Sequence, residues 1–250
     1  MKRLRARESL SWLRSGVLLL SGLILAFAGC QAFADTEDVD ELRTLPPDTW
    51  VPVRHDRLHG IRTFMKQEEG KRLRSFRVEA RLGGTIESHL RVLLDFDNYH
   101  RWFWEVQDAR LLRKSSATVY YLYLKHRAPH GLPGRDAVLQ ATFEPQTAEN
   151  RTLVYRVRAV PDVLEEKPPL IRMRAEDMLV QLTPLPGRQV QLVAEGYVDP
   201  GGHAPNWAFN YIQRSAPYQT VLGLQRMMQD PEYRERREKL PFPVFGPATP

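Results

Sequence analysis

The sequence is short of cysteine: Cys30 is the only one in 250 residues. An intrachain disulfide is therefore excluded, as is a metal site built on several thiols. Long apolar runs are scarce too. Beyond residue 29 none approaches the roughly 20 residues that a bilayer-spanning helix needs. Concentrated charge of one sign is also missing. GKRLRSFR and EYRERREKL are the densest basic stretches, and solvated sheet and helix faces account for them. Nucleic acid is not an expected partner, since it calls for a clustered basic patch. Catalytic signatures are lacking as well. There is no Gly-x-Ser-x-Gly elbow and no His-Glu-x-x-His helix. His126 and His130 lie four apart, but Pro129 and Gly131 oppose a helix between them, so no shared metal is expected. Asp95 and Asp97 in LDFDNYH read as a helix end and an N-cap rather than as paired acids. No catalytic residue, metal or cofactor is expected.

The amino terminus is where the sequence is most directional. Lys2, Arg3, Arg5, Arg7 and Arg14 outweigh Glu8, and the apolar run GVLLLSGLILAFAG follows from Gly16 to Gly29. Basic, then apolar, then small residues make an export signal. Two processing routes are open. Ala32-Phe33-Ala34 suits cleavage before Asp35, which makes residues 1–34 a signal peptide. Phe27-Ala28-Gly29-Cys30 resembles a lipoprotein box, which makes residues 1–29 the signal and Cys30 the lipidated residue. Both routes lead out of the cytoplasm to the periplasm, the second with a membrane anchor. The formal charge of +6 shrinks with the signal: five basic residues and one acid carry +4, leaving +2 on the remainder.

Residues 35–49 are acidic, then proline-containing, and read as a tether. From Ile61 onward the dominant period is two. Phe76, Val78, Ala80 and Leu82 alternate with charged residues, and Gly83-Gly84 closes that strand. Thr85 is placed to cap a helix bearing Ile86, Leu90, Leu93 and Leu94 on one side. A second short helix or turn falls at DNYHRWFWEV. Alternating strands follow around residues 111–126, 137–144, 153–159, 171–175 and 190–196, separated by turn residues. Each strand has one dry face, so the sheet is antiparallel and covered on one side. The cover is a long amphipathic helix near the end, with Pro217 predicting a kink or break near Ser215-Ala216. Residues 231–250 form a basic, then proline-rich tail, and its PFPVFGPATP suits docking on a partner.

The stretch DPGGHAPNWAFNYIQRSAPYQTVLGLQRM resembles the carboxy-terminal segment of START domains, a lipid-transfer family. Asp199, Pro200, Gly201, Gly202, Pro205 and Trp207 match its turn and helix start, and Pro217, Leu222, Leu224 and Arg226 its helix. Trp50 with Gly60-Ile61, Ala128-Pro129 before Gly134-Arg135-Asp136, Pro169 to Met173, and Thr183-Pro184-Leu185 resemble further landmarks in order. The resemblance covers residues 50–230. It implies an α+β helix-grip fold, in which a curved antiparallel sheet wraps a long terminal helix, with two short helices after an early strand. It also implies an internal cavity for a lipid, sterol or other hydrophobic small molecule, carried or presented in the cell envelope. A helix-grip enzyme acting on a hydrophobic substrate and an envelope partner-binding protein are the alternative readings.

Alternation turns Leu139, Phe143, Tyr155 and Met173 toward such a cavity, joined by Tyr121 and Tyr123 from a strand apolar on both sides. Trp207, Tyr211 and Met227 are the helix-side candidates. Arg135-Asp136 reads as an internal ion pair or a loop salt bridge, and the resemblance implies a structural or cavity-edge role. His100, Trp102, Phe103 and Trp104 read either as buried packing or as an aromatic edge for transient membrane contact. EEKPPLI is the expected gate loop.

Overall fold

A computed structural model describes residues 48–129, 131–235 and 238–247. The expected export signal, Cys30, most of the expected tether and His130 lie outside the described residues.

The period-two runs become strands. β1 (Val51–Asp56), β2 (Ile61–Lys66) and β3 (Ser75–Gly83) form an antiparallel meander. Thr85 then caps α1 (Ile86–Leu94): its hydroxyl accepts from the Ser88 N–H at 3.2 Å, and Ser88 Oγ accepts from the Thr85 N–H at 2.9 Å. This reciprocal pair satisfies N–H groups that the first helical turn leaves unpaired. A 3-10 turn, Phe96–Arg101, leads to the hairpin of β4 (Val106–Lys114) and β5 (Val119–His126). Then come β6 (Arg135–Glu144), β7 (Leu153–Ala159), the short β8 (Ile171–Arg172), β9 (Ala175–Leu185) and β10 (Gln189–Asp199). α2 (Asn206–Met227) and α3 (Pro231–Glu235) follow.

The strands make one curved sheet in the order β1-β2-β3-β10-β9-β7-β6-β5-β4, antiparallel along that path, with β8 parallel to β6. Register shows which face is dry. Leu122 pairs with Leu139, Phe143 with Tyr155, Tyr155 with Val180, Val180 with Ala194, and Ala194 with Val78. Pleating sends alternate residues to opposite faces, so this apolar row lines one face. α2 lies on that face over β2 and β3 and touches α1. The architecture is the helix-grip arrangement expected from the sequence.

The turn into α2 needs glycine. Gly201 and Gly202 take φ of 67° and 63°, and Asp199 Oδ1 accepts the Gly201 N–H at 2.9 Å. α2 has 22 residues, about 33 Å at 1.5 Å each. Of the kink or break expected at Pro217, there is no break: the helix runs on through it. Proline forfeits one hydrogen bond, to the Gln213 carbonyl. Burial of Tyr218, Val221, Leu224, Met227 and Met228 outweighs that loss. Gly223 permits the contact: a Cβ there would collide with the Trp102 carbonyl oxygen.

The tail also departs from expectation. Tyr233 of α3 is buried and donates to Asp95 Oδ2 at 2.7 Å. Phe242 is buried with its ring centre 5.7 Å from that of Phe143. Gln146 donates to the Phe245 carbonyl at 3.0 Å and accepts its N–H at 2.8 Å. Among the described tail residues Phe242 is buried and Val244 packs on the core, while Pro243 and Pro247 stay exposed.

Candidate functional site

Helix and sheet do not close completely. A cavity of about 170 Å³ lies between α2, from Phe209 to Leu224, and the inner face of β3, β10, β9 and β7. Val78, Met178, Val180, Leu192 and Ala194 form its sheet side, and Phe209, Ile212, Ala216 and Leu224 its helix side. Trp102, Phe103 and Trp104 close one flank, while Ala128 and Leu132 lie in the adjoining loop. The lining is almost wholly apolar. Cavities of roughly this size take up a benzene-sized body. A lipid-sized guest calls for about 300–1,000 Å³, so part of the wall must yield for one to fit.

The two halves of α2 are held by different contacts. The rear half is pinned by Gly223 on the Trp102 backbone, by Tyr218 donating to Asp56 Oδ2 at 2.6 Å, and by Gln225 donating to the His59 carbonyl at 3.4 Å. In the front half Gln213 donates to the Arg74 carbonyl at 3.2 Å, Arg72 lies 5.0 Å from the Phe209 ring centre and the Trp104 and Tyr211 rings are 6.0 Å apart, while Trp207 and Tyr211, four residues apart, are 56% and 50% exposed. Pro217 sits between the halves.

Several residues picked from the sequence do face the cavity: Tyr155, Met173 and Arg135 are in its wall. Leu139, Phe143 and Met227 are instead buried in the close-packed core, with the Phe143 ring stacked on Tyr155 at 4.6 Å. Trp207 and Tyr211 lie on the exposed side of α2. Tyr121 and Tyr123 are on the wrong face: Tyr120, Leu122 and Leu124 point inward. Tyr121 accepts from Gln140 Nε2 at 2.8 Å on the outer surface. Tyr123 is buried without reaching the cavity, because the segment from residue 160 to β8 straps over the outer face there, with the Lys167 Nζ 4.7 Å from its ring centre.

That strap also revises Arg135-Asp136. They are not a pair. Arg135 faces inward and donates to the Pro133 and Pro200 carbonyls. Asp136 points outward under the strap and pairs with buried Arg172 through two bonds, Nε to Oδ1 at 3.0 Å and Nη2 to Oδ2 at 2.9 Å. Arg172 also donates to the carbonyls of Pro161 and Leu164, both at 2.6 Å, and of Glu165 at 3.0 Å. EEKPPLI is thus held against the back of the sheet rather than over the cavity.

Two polar residues of the wall escaped sequence reasoning. Glu176 in β9 and His126 at the end of β5 both face the cavity. Burial, and secondarily the Asp177 charge, pushes the Glu176 carboxyl up to about 7. Burial pushes His126 down to about 4, against a hydrogen bond to the Trp104 backbone that works the other way. The signal for each was in the register: Glu176 continues the inward row Met178, Val180, Leu182, and His126 continues Tyr120, Leu122, Leu124.

No known protein-family profile matches this chain, and no curated protein does. Solved structures do match. The STAR-related lipid transfer protein of Xanthomonas axonopodis (a fragment, residues 25–204) has 28% sequence identity and a TM-score of 0.66, covering 73% of this chain and 100% of that one. Human STARD10 matches at 18% identity and TM-score 0.64, over 81% of this chain and 83% of that one. Human StAR-related lipid transfer protein 5 matches at 15% and 0.64, over 84% and 97%.

Proposed function

The chain has a START-like helix-grip fold, and we propose that it binds a hydrophobic ligand in the cavity under α2 and carries it in the cell envelope. The observation behind this reading is the apolar cavity itself. Removing a guest's apolar surface from water is worth roughly 25 cal/mol per Å² and needs no chemistry. The name of the Xanthomonas neighbour, a lipid transfer protein at 28% identity, supports the ligand class. Native mass spectrometry of the purified protein, with titration of a hydrophobic fluorophore, tests it. One guest per chain is expected. Ala194→Trp, which fills the cavity from β10, should abolish uptake. An absent guest together with unchanged dye behaviour in that variant refutes the reading.

Uptake proceeds by movement of the front half of α2, with Pro217 as the hinge. Trp207 and Tyr211 on that half meet the membrane surface, where amphipathic aromatic rings partition. The export signal delivers the protein to the periplasm, by cleavage after Ala34 or by lipidation of Cys30. Loss of palmitate labelling in Cys30→Ser marks the second route, and no labelling in the wild type marks the first. An enzyme reading is favoured by one observation, the buried Glu176 and His126 in the wall. A guest recovered with altered mass would establish it. We infer carriage without catalysis, and expect guests to be recovered unchanged.

A further inference from the structure

Three polar atoms of residues in the cavity wall are buried without a hydrogen-bond partner: Glu176 Oε2, His126 Nε2 and Trp102 Nε1. Leaving such atoms unpaired is costly. A wall meant only to exclude water would use more of the Val, Leu and Met that surround them. Glu176 is 2% exposed. Its Oε2 stands 4.0 Å from His126 Nε2. That is too far for a bond between them, which closes within about 3.2 Å. It suits two groups that share a third atom: an oxygen ~2.8 Å from each makes an angle of about 90° between them.

We propose that Glu176 and His126 together bind a single hydroxyl group at the buried end of a neutral hydrophobic guest. This rests on the carrier reading and narrows it to an alcohol. The protonation states fit. With the carboxyl pushed up to about 7 and the imidazole down to about 4, the pair at pH 6 is a carboxylic acid and a neutral ring. The ring bonds the Trp104 backbone and Nε2 is unpaired, so the N–H lies on Nδ1 and Nε2 presents a lone pair. An alcohol donates to that lone pair and accepts from the Glu176 acid. A ketone or ester only accepts and leaves Nε2 bare. A carboxylate meets the Glu176 oxygens without a cation to balance it. Arg135, paired with His126 across β5 and β6, donates to two carbonyls, and neither its charge nor that of Arg74 in the wall is among those that act on Glu176. Arg127 is largely exposed, 3.8 Å from Glu105. Tyr155 does not supply a donor either. Tyr99 gives its proton to the Leu93 carbonyl at 2.7 Å, so Tyr155 donates to Tyr99 at 3.2 Å.

The test compares guests that share one chain: decan-1-ol, decan-2-one, decanoate and decane, titrated at pH 6 by native mass spectrometry and tryptophan fluorescence. Decan-1-ol should bind at least tenfold more tightly than decan-2-one, and decanoate more weakly still. Glu176→Leu and His126→Phe should each bring the alcohol down to the level of the ketone while leaving decane unchanged. Glu176→Gln, whose amide retains a donor, should keep the alcohol preference. Glu176→Leu should melt no lower than the wild type, since it removes an unpaired polar atom, whereas His126→Phe also gives up the bond to the Trp104 backbone. Should one fail to fold, the wild-type ratio of alcohol to ketone still decides. Equal affinity for the two, or a preference that survives both substitutions, overturns the proposal. Failure of every probe, decane included, instead overturns the carrier reading beneath it.

Discussion

Glu176→Gln separates charge from shape at the cavity wall. The amide fills the same space but does not titrate. In the folded chain the carboxyl ionises near 7, against 4.5 unperturbed. The gap is 7 − 4.5 = 2.5 units, worth about 3 kcal/mol at ~1.36 per unit. Because the folded value is raised, this stability is fully present below pH 4.5 and lost as pH rises through 7. His89 and His126 act in the opposite sense. Burial lowers both from 6.5 to about 4, so their contribution is present above pH 6.5 and lost as pH falls through 4. In the wild type the trends partly cancel between pH 4 and 7. The difference between variant and wild type removes the histidines and leaves Glu176 alone. Urea unfolding, followed by tryptophan fluorescence at half-unit steps from pH 4.5 to 7.5, should show that difference growing by about 3 kcal/mol in favour of the variant. At a slope of roughly 2 kcal/mol per molar, the midpoints separate by about 1.5 M. Curves that stay parallel within about 0.5 kcal/mol would mean that Glu176 is hydrated or paired in the fold, and the account of the cavity's dry end would fail.

Other outcomes follow from other contacts. Asp136→Ala leaves Arg172 buried without its carboxylate and should cost about 3–5 kcal/mol in guanidinium unfolding. Gly223→Ala sets a helix-propensity gain of about 1 kcal/mol against the collision with the Trp102 backbone. Backbone cannot swing aside, so overpacking of about 1–3 kcal/mol wins and the melting temperature falls. Phe242→Ala empties a buried site against Phe143 and should destabilise by about 3–5 kcal/mol, whereas a free tail would show no change. Trp207→Ala with Tyr211→Ala should weaken vesicle binding about tenfold or more while leaving the melting temperature within a degree or two.

Much of the fold was legible because alternation and helical periodicity are enforced by burial on one face. Val78, Leu139, Tyr155, Leu192 and Ala194 turned inward as their spacing required, and Thr85 capped its helix through local chemistry alone. Parity failed at Tyr121 and Tyr123, where both faces of β5 are apolar. The outer face near Tyr123 is covered by a strap anchored through Arg172, a contact 36 residues away from Asp136 in sequence. Nothing local in YYLYL encodes that. Pro217 allowed a kink or a break, and tertiary docking of the rear half excludes the break. Glu176 and His126 were the inverse case. They interrupt an otherwise apolar inward row, and a titratable group in such a row is itself the mark of a site.

Arg172 has every donor group committed, to one carboxylate and three carbonyls. The far side of the sheet is therefore clamped, and on the proposed reading a doorway opens on the near side. Should the cavity carry a guest as proposed, one doorway would make it work in turns: a departing passenger must clear the threshold before the next arrives, and none can be pushed out from behind.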